Sequence, residues 1–156
     1  MFVQLKRSTD LAFRQQSLLL RPYLNVQDLQ WELQNGSAPD ERWNIFIVVG
    51  NVGDLPARQL RAIVWIDGRL EANRSDFSPP VMAMSIGPRG GQVAVPTSIT
   101  KVEAQSILQS SQGCYLHIAM EYSGAADERY ELRSTSMLVY REGKLLKWIP
   151  IGTSGY

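Results

Sequence analysis

The side chains able to do chemistry are few and scattered. His117 is the single histidine and Cys114 the single cysteine. Together they supply two of the four ligands a structural zinc takes, and one cysteine cannot form an internal disulfide. A serine hydrolase would set His117 against a Gly-x-Ser-x-Gly elbow, and no such run occurs. Carboxylates gather as Asp40-Glu41 and as Asp127-Glu128 with Glu131, each in or beside a turn. A glycosidase would face two of them across a cleft, whereas turn positions read as solvated charge. No Asp-x-Asp-x-Asp-Gly run marks a calcium loop. Gly87-Pro88-Arg89-Gly90-Gly91 lacks the lysine-serine ending of a phosphate cradle and reads as a turn. The expectation is no catalytic residue, no metal ligand and no cofactor.

Aromatic residues are the other hint. Trp65 falls on the parity opposite Val64 and Ile66. It therefore covers the outer face of a sheet or anchors a partner, and it is the candidate interface residue. Net charge is +1 over 156 residues, which gives no field to attract nucleic acid or an acidic membrane. Hydrophobic residues at 44% and charged residues at 20% fit one ordinary globular domain. No segment reaches the roughly 18 apolar residues of a membrane span. Polar residues from Gln4 to Asp10 interrupt any signal-peptide core. These features suit a soluble chain, with cytoplasm and periplasm both open.

The elements that must position these residues are organised around Arg42 to Leu70. Trp43, Ile45, Ile47 and Val49 alternate along one strand; Leu60, Ala62, Val64 and Ile66 alternate along the next, which ends at the turn dipeptide Asp67-Gly68. The connector Asn51-Val52-Gly53-Asp54-Leu55-Pro56-Ala57 is rich in geometry. Asn51 can bond nearby backbone, Gly53 can take positive φ at no steric cost, and Pro56 fixes φ.

Around this pair the chain reads in order. Residues 1–20 form an amphipathic lead helix, stopped at Arg21-Pro22. Tyr23 to Leu33 is a strand whose apolar parity flips near Gln27-Asp28, the mark of a β-bulge. Val81 to Ile86 and Gln92 to Val95 are short strands, with Pro96 holding the second at an edge or ending it. Thr100-Lys101-Val102-Glu103 matches a capping box and opens a short helix over about 100–111, with Gly113 as its stop. Cys114 to Tyr122 alternates as a half-buried strand; Tyr130 to Tyr140 and Leu145 to Ile149 follow as a hairpin. Pro150 and Gly152 then release a tail over 151–156. The reading is mainly β: an antiparallel sandwich of seven to nine strands over residues 21–150.

Arg21-Pro22-Tyr23 and the Asn-x-Gly-x-x-Pro-Ala connector carry a resemblance. The chain resembles uncharacterised bacterial immunoglobulin-like β-sandwich domains, and is similar to CARDB-type adhesion-related sandwiches. The resemblance covers about Arg21 to Tyr140 and implies no catalytic residue; Ser123 stands where members often carry Asp. It implies a non-enzymatic protein-interaction or structural domain, membrane-proximal in context and reaching a membrane only through an anchor outside this chain. The expected partner is another protein or a second copy. The alternative reading is a carbohydrate-binding module or hydrolase with its site at one end of the sandwich.

Overall fold

The computed structural model describes residues 21–34, 41–70, 85–111, 113–141 and 144–155. The expected lead helix over 1–20 and most of the expected strand at Val81 to Ile86 lie outside them. The described residues form β1 (Leu24–Gln34), β2 (Arg42–Asn51), β3 (Arg58–Asp67), β4 (Gly91–Thr100), α1 (Lys101–Ser110), β5 (Cys114–Ser123), β6 (Arg129–Arg141) and β7 (Lys144–Gly155). The strands make two antiparallel sheets, ordered β1-β2-β4 and β3-β5-β6-β7.

Strand alternation sorts residues between the two layers. The three-stranded sheet turns Leu24, Leu29, Ile45, Ile47, Val49, Val95 and Ile99 inward. The four-stranded sheet answers with Leu60, Ala62, Leu116, Ile118, Met120 and Leu132. Each such aliphatic, taken fully from water, contributes about 1.5–3 kcal/mol. The parity flip in β1 is a bulge: register slips between Val26 and Asp28, leaving Gln27 as the extra residue. Leu24 and Leu29 both reach the core because of it.

Three boundaries differ from the sequence reading. Pro96 does not end its strand: β4 runs from Gly91 to Thr100, and Pro96 sits opposite Phe46. An edge strand tolerates the missing N–H when it faces away from the ladder. The helix ends at Ser110, before Gly113. Ser111, extended at φ −150°, caps it by donating its hydroxyl to the Ile107 carbonyl. At the other end Thr100 Oγ1 accepts from Glu103 N–H at 3.1 Å, which is one half of the capping box. The third difference is the tail. β7 continues through Pro150 and Gly152 to Gly155, because slips in its pairing with β6, between Thr135 and Ser136 and between Val139 and Tyr140, absorb the irregular residues.

The four edge strands all carry a feature that disrupts further pairing. β1 has its bulge, β3 a register shift between Arg58 and Arg61 with Gln59 at φ 52°, β4 has Pro96, and β7 has Pro150 and two slips. Such devices blunt an edge against strand addition.

Cys114 is fully buried, and burial, with the Asp67 charge adding to it, pushes its thiol from 9.0 up to about 12. Burial also raises Tyr140, with Cys114 as the second cause. Both groups are held protonated in the fold, whereas an unfolded chain ionises them at their ordinary values. Stability from these groups is thus intact below about pH 9 and falls by about 1.4 kcal/mol per pH unit per group as pH climbs past the ordinary value of each, 9.0 for Cys114 and 10.0 for Tyr140, until its raised value in the fold is reached. Cys114 is expected to resist a thiol reagent at pH 8 in the native protein and to react at once in denaturant. Native labelling at the denatured rate would contradict its burial.

Candidate functional site

Sequence-singled residues fall in two places. Asn51, Gly53, Pro56 and Ala57 lie together at one end of the sandwich; Trp65 and His117 lie on the outer face of the four-stranded sheet.

The first cluster is a backbone staple. Asn51 is fully buried, and both ends of its amide are used. Oδ1 accepts from Tyr23 N–H and Gly53 N–H, both at 3.0 Å. Nδ2 donates to the Leu55 carbonyl at 2.8 Å and the Ile86 carbonyl at 3.2 Å. Ala57 and Ile86 exchange backbone bonds of 3.0 and 2.9 Å. Val52 N–H reaches Tyr23 O, and Gly90 N–H reaches Asn51 O, each at 2.9 Å. Two segments noted separately in the sequence, Arg-Pro-Tyr and Asn-x-Gly-x-x-Pro-Ala, are therefore one structural unit. Gly53 does not use its freedom to take positive φ; among the described glycines that conformation belongs to Gly90. Gly53 is required for space, since a Cβ there would lie 2.1 Å from Arg21 O. Arg21 completes the unit, its guanidinium 5.2 Å from the ring centres of both Tyr23 and Tyr130. Tyr130 in turn stacks on Tyr122, whose hydroxyl accepts from Leu24 N–H at 3.4 Å.

The second cluster is built by strand register. Trp65, His117 and Thr135 lie side by side on β3, β5 and β6. His117 is on the outer face, as its parity with Tyr115 and Glu121 requires, yet it is only 1% exposed. Its ring stacks on Trp65 at 5.1 Å. Nε2 lies 2.8 Å from the Arg69 carbonyl and 3.1 Å from Asp67 Oδ1, and Nδ1 lies 3.0 Å from Thr135 Oγ1. A carbonyl only accepts, so Nε2 carries a proton, while Nδ1 and the threonine hydroxyl share a hydrogen bond. Asp67 Oδ1 also takes Arg69 N–H at 3.0 Å, closing the turn at Asp67-Gly68. Trp65, at 9% exposure, covers the face and presents little surface to a partner.

Chemically this cluster is a polar pin, because both imidazole nitrogens are committed. The adjoining cavity, lined by Trp65, His117, Arg133 and Thr135 among others, is about 50 Å³, against the roughly 300 Å³ at which small-molecule sites begin. Elsewhere the carboxylates hold turns and ion pairs. Glu128 accepts from Ala126 N–H at 2.8 Å, Glu131 pairs with Arg133, and Arg129 lies 3.8 Å from Glu121. Among the described residues no three His, Cys, Asp or Glu converge as metal ligands, and no helix is long and apolar enough to cross a membrane.

The part sequence reasoning missed is the apolar surface at the β7 side. Tyr115, Met137 and Ile149 form a row across β5, β6 and β7 on the outer face. Ile149 is 37% exposed, and beside it Leu146 and Ile151 are 50% and 46% exposed. Alternation alone gave no signal, because the slips in β7 set which of its side chains face out. Arg141, Lys144 and Lys147 are exposed around this surface.

Fold and site define a mainly β, two-sheet sandwich whose buried polar groups hold backbone. A scan of protein-family models, a search of curated proteins and a search of solved structures each return no match.

Proposed function

We propose that this chain is a non-enzymatic interaction domain that meets a partner protein through the β7 side of its four-stranded sheet. The observation that carries this reading is the exposure of Leu146, Ile149 and Ile151 along one strand, with Ile149 in register with the half-buried Met137 and Tyr115. A contiguous apolar surface with a polar rim is the usual form of a protein contact. The rim here is cationic: Arg141, Lys144 and Lys147. Two copies meeting through this surface would set like charges against each other. The complementary partner therefore brings an apolar contact ringed by carboxylates.

Immunoglobulin-like is the finer description we favour. The sheet orders β1-β2-β4 and β3-β5-β6 follow the A-B-E and C-F-G pattern of that fold, with β7 added beside the last strand. This agrees with the adhesion-related CARDB-type sandwiches that the sequence resembles, and with a place near a membrane supplied by other parts of the system.

The test is capture of binding proteins on immobilised wild-type chain, on the Ile149→Asp/Ile151→Asp double variant, and on Val102→Asp as a control. Val102 is 57% exposed on α1, away from β7. Proteins held by wild type and by the control, lost by the double variant and weakened by salt, are the expected result. All three substitutions are at exposed positions and should change stability by no more than about 0.5 kcal/mol. Equal capture by the double variant would overturn the reading.

A further inference from the structure

The outer face of the three-stranded sheet carries a surface of a different chemistry. The β1 bulge throws Gln27 over β2, where Gly50 leaves room for it: a Cβ on Gly50 would lie 2.1 Å from Gln27 Nε2. Gln92 reaches in from β4, and its amide nitrogen donates to the Gln27 side-chain carbonyl. The paired amides bridge β2 beside an open groove of about 310 Å³. Val48 and Ala94 form its floor, with Asp28 and Gln30 on the β1 flank. Asp28, Val48 and Ala94 stand side by side across the three strands; Gln30, Phe46 and Pro96 make the next row. From the Gly50 row to the Phe46 row is about 14 Å at roughly 3.4 Å per residue, and from β1 to β4 is about 10 Å.

The polar groups on this groove have capacity to spare. Asp28 accepts one bond, from Leu29 N–H at 2.9 Å, and its second oxygen is open. The Gln30 side chain has no hydrogen-bond partner among the described residues. Lysine and arginine are absent from the lining, so an anionic ligand has no counter-charge there. One carboxylate alone does not hold a metal. What remains is the amides of Gln30 and Gln92, which donate and accept, a carboxylate that accepts, and an aliphatic floor. That set complements a sugar ring, which offers hydroxyls at its rim and C–H groups on its face.

We propose that this groove binds a neutral saccharide of one or two pyranose rings. The site is independent of the β7 surface, which lies on the other sheet. Its openness and small size set the affinity at a dissociation constant of about 1 mM.

The experiment titrates the full ¹⁵N-labelled chain with maltotriose, cellotriose and chitotriose separately, and follows backbone amides by NMR. The expected result is that at least one sugar shifts Asp28, Leu29, Gln30, Val48 and Gln92 to Ala94, and leaves the β7 amides in place. Gln30→Ala and Asp28→Asn should each weaken that binding about tenfold; the spectra of both variants report directly that the sheet is intact. The proposal is overturned if none of the three sugars moves these amides at about 10 mM, ten times the expected constant. It is also overturned if the shifts are unchanged in both variants, or if a lysine-rich peptide moves these amides and the sugars do not.

Discussion

Asn51→Ala is expected to cost about 4 kcal/mol of unfolding free energy, a large share of the 5–15 kcal/mol available to a domain of this kind. The truncation strands two backbone donors, Tyr23 N–H and Gly53 N–H, and the Leu55 carbonyl, while the Ile86 carbonyl keeps its bond from Ala57 N–H. Each buried orphan costs about 1–3 kcal/mol, and partial rehydration keeps the sum below the simple total. Asn51→Asp should be no better. It keeps the acceptor but loses both donors, and it aims a carboxylate at two carbonyl oxygens. Urea denaturation measures both variants. A loss under about 1 kcal/mol for Asn51→Ala would mean that the connector is held by its backbone bonds alone.

His117→Phe is the second large effect, at about 2 kcal/mol. Phenylalanine keeps the ring volume and the stack on Trp65, so packing changes little. The Arg69 carbonyl loses its donor at 2.8 Å and Asp67 loses a partner at 3.1 Å. The loss should be local as well as global: the Asp67 and Arg69 amides, next to the turn that the imidazole pins, should exchange with solvent faster than in wild type. His117→Ala adds a cavity beneath Trp65 and should cost more, about 3 kcal/mol. Equal stability of wild type and His117→Phe would remove the pin.

The strands were legible wherever one face is buried and alternation is strict. β2, β3 and β5 were read from Ile45, Leu60 and Cys114 onward because one layer of the sandwich is dry. The bulge at Gln27 was legible for the same reason, as a parity change between Val26 and Leu29. Boundaries near Pro96 and Pro150 were not, since proline bars a central strand but not an edge, and edge position is a tertiary fact. The partners of His117 were hidden too. Asp67 and Thr135 stand 50 and 18 residues away, and only the β3-β5-β6 register brings them to the ring. Gly53 was read as a turn glycine on composition, while the constraint on it is the approach of Arg21 from a distant segment. The β7 surface depends on slips that no local pattern encodes.

The claim beneath all of this is that the polar groups enclosed in the sandwich hold the chain in place. His117 decides it most directly, because it is the one side chain whose ring could otherwise move a proton. Long-range ¹H–¹⁵N NMR of the imidazole reports which nitrogen is protonated. The expected result is a proton on Nε2, held by the Arg69 carbonyl, with Nδ1 bonded to Thr135. An Nε2 without a proton, or exchange of tautomers with Nε2 open to solvent, would contradict it.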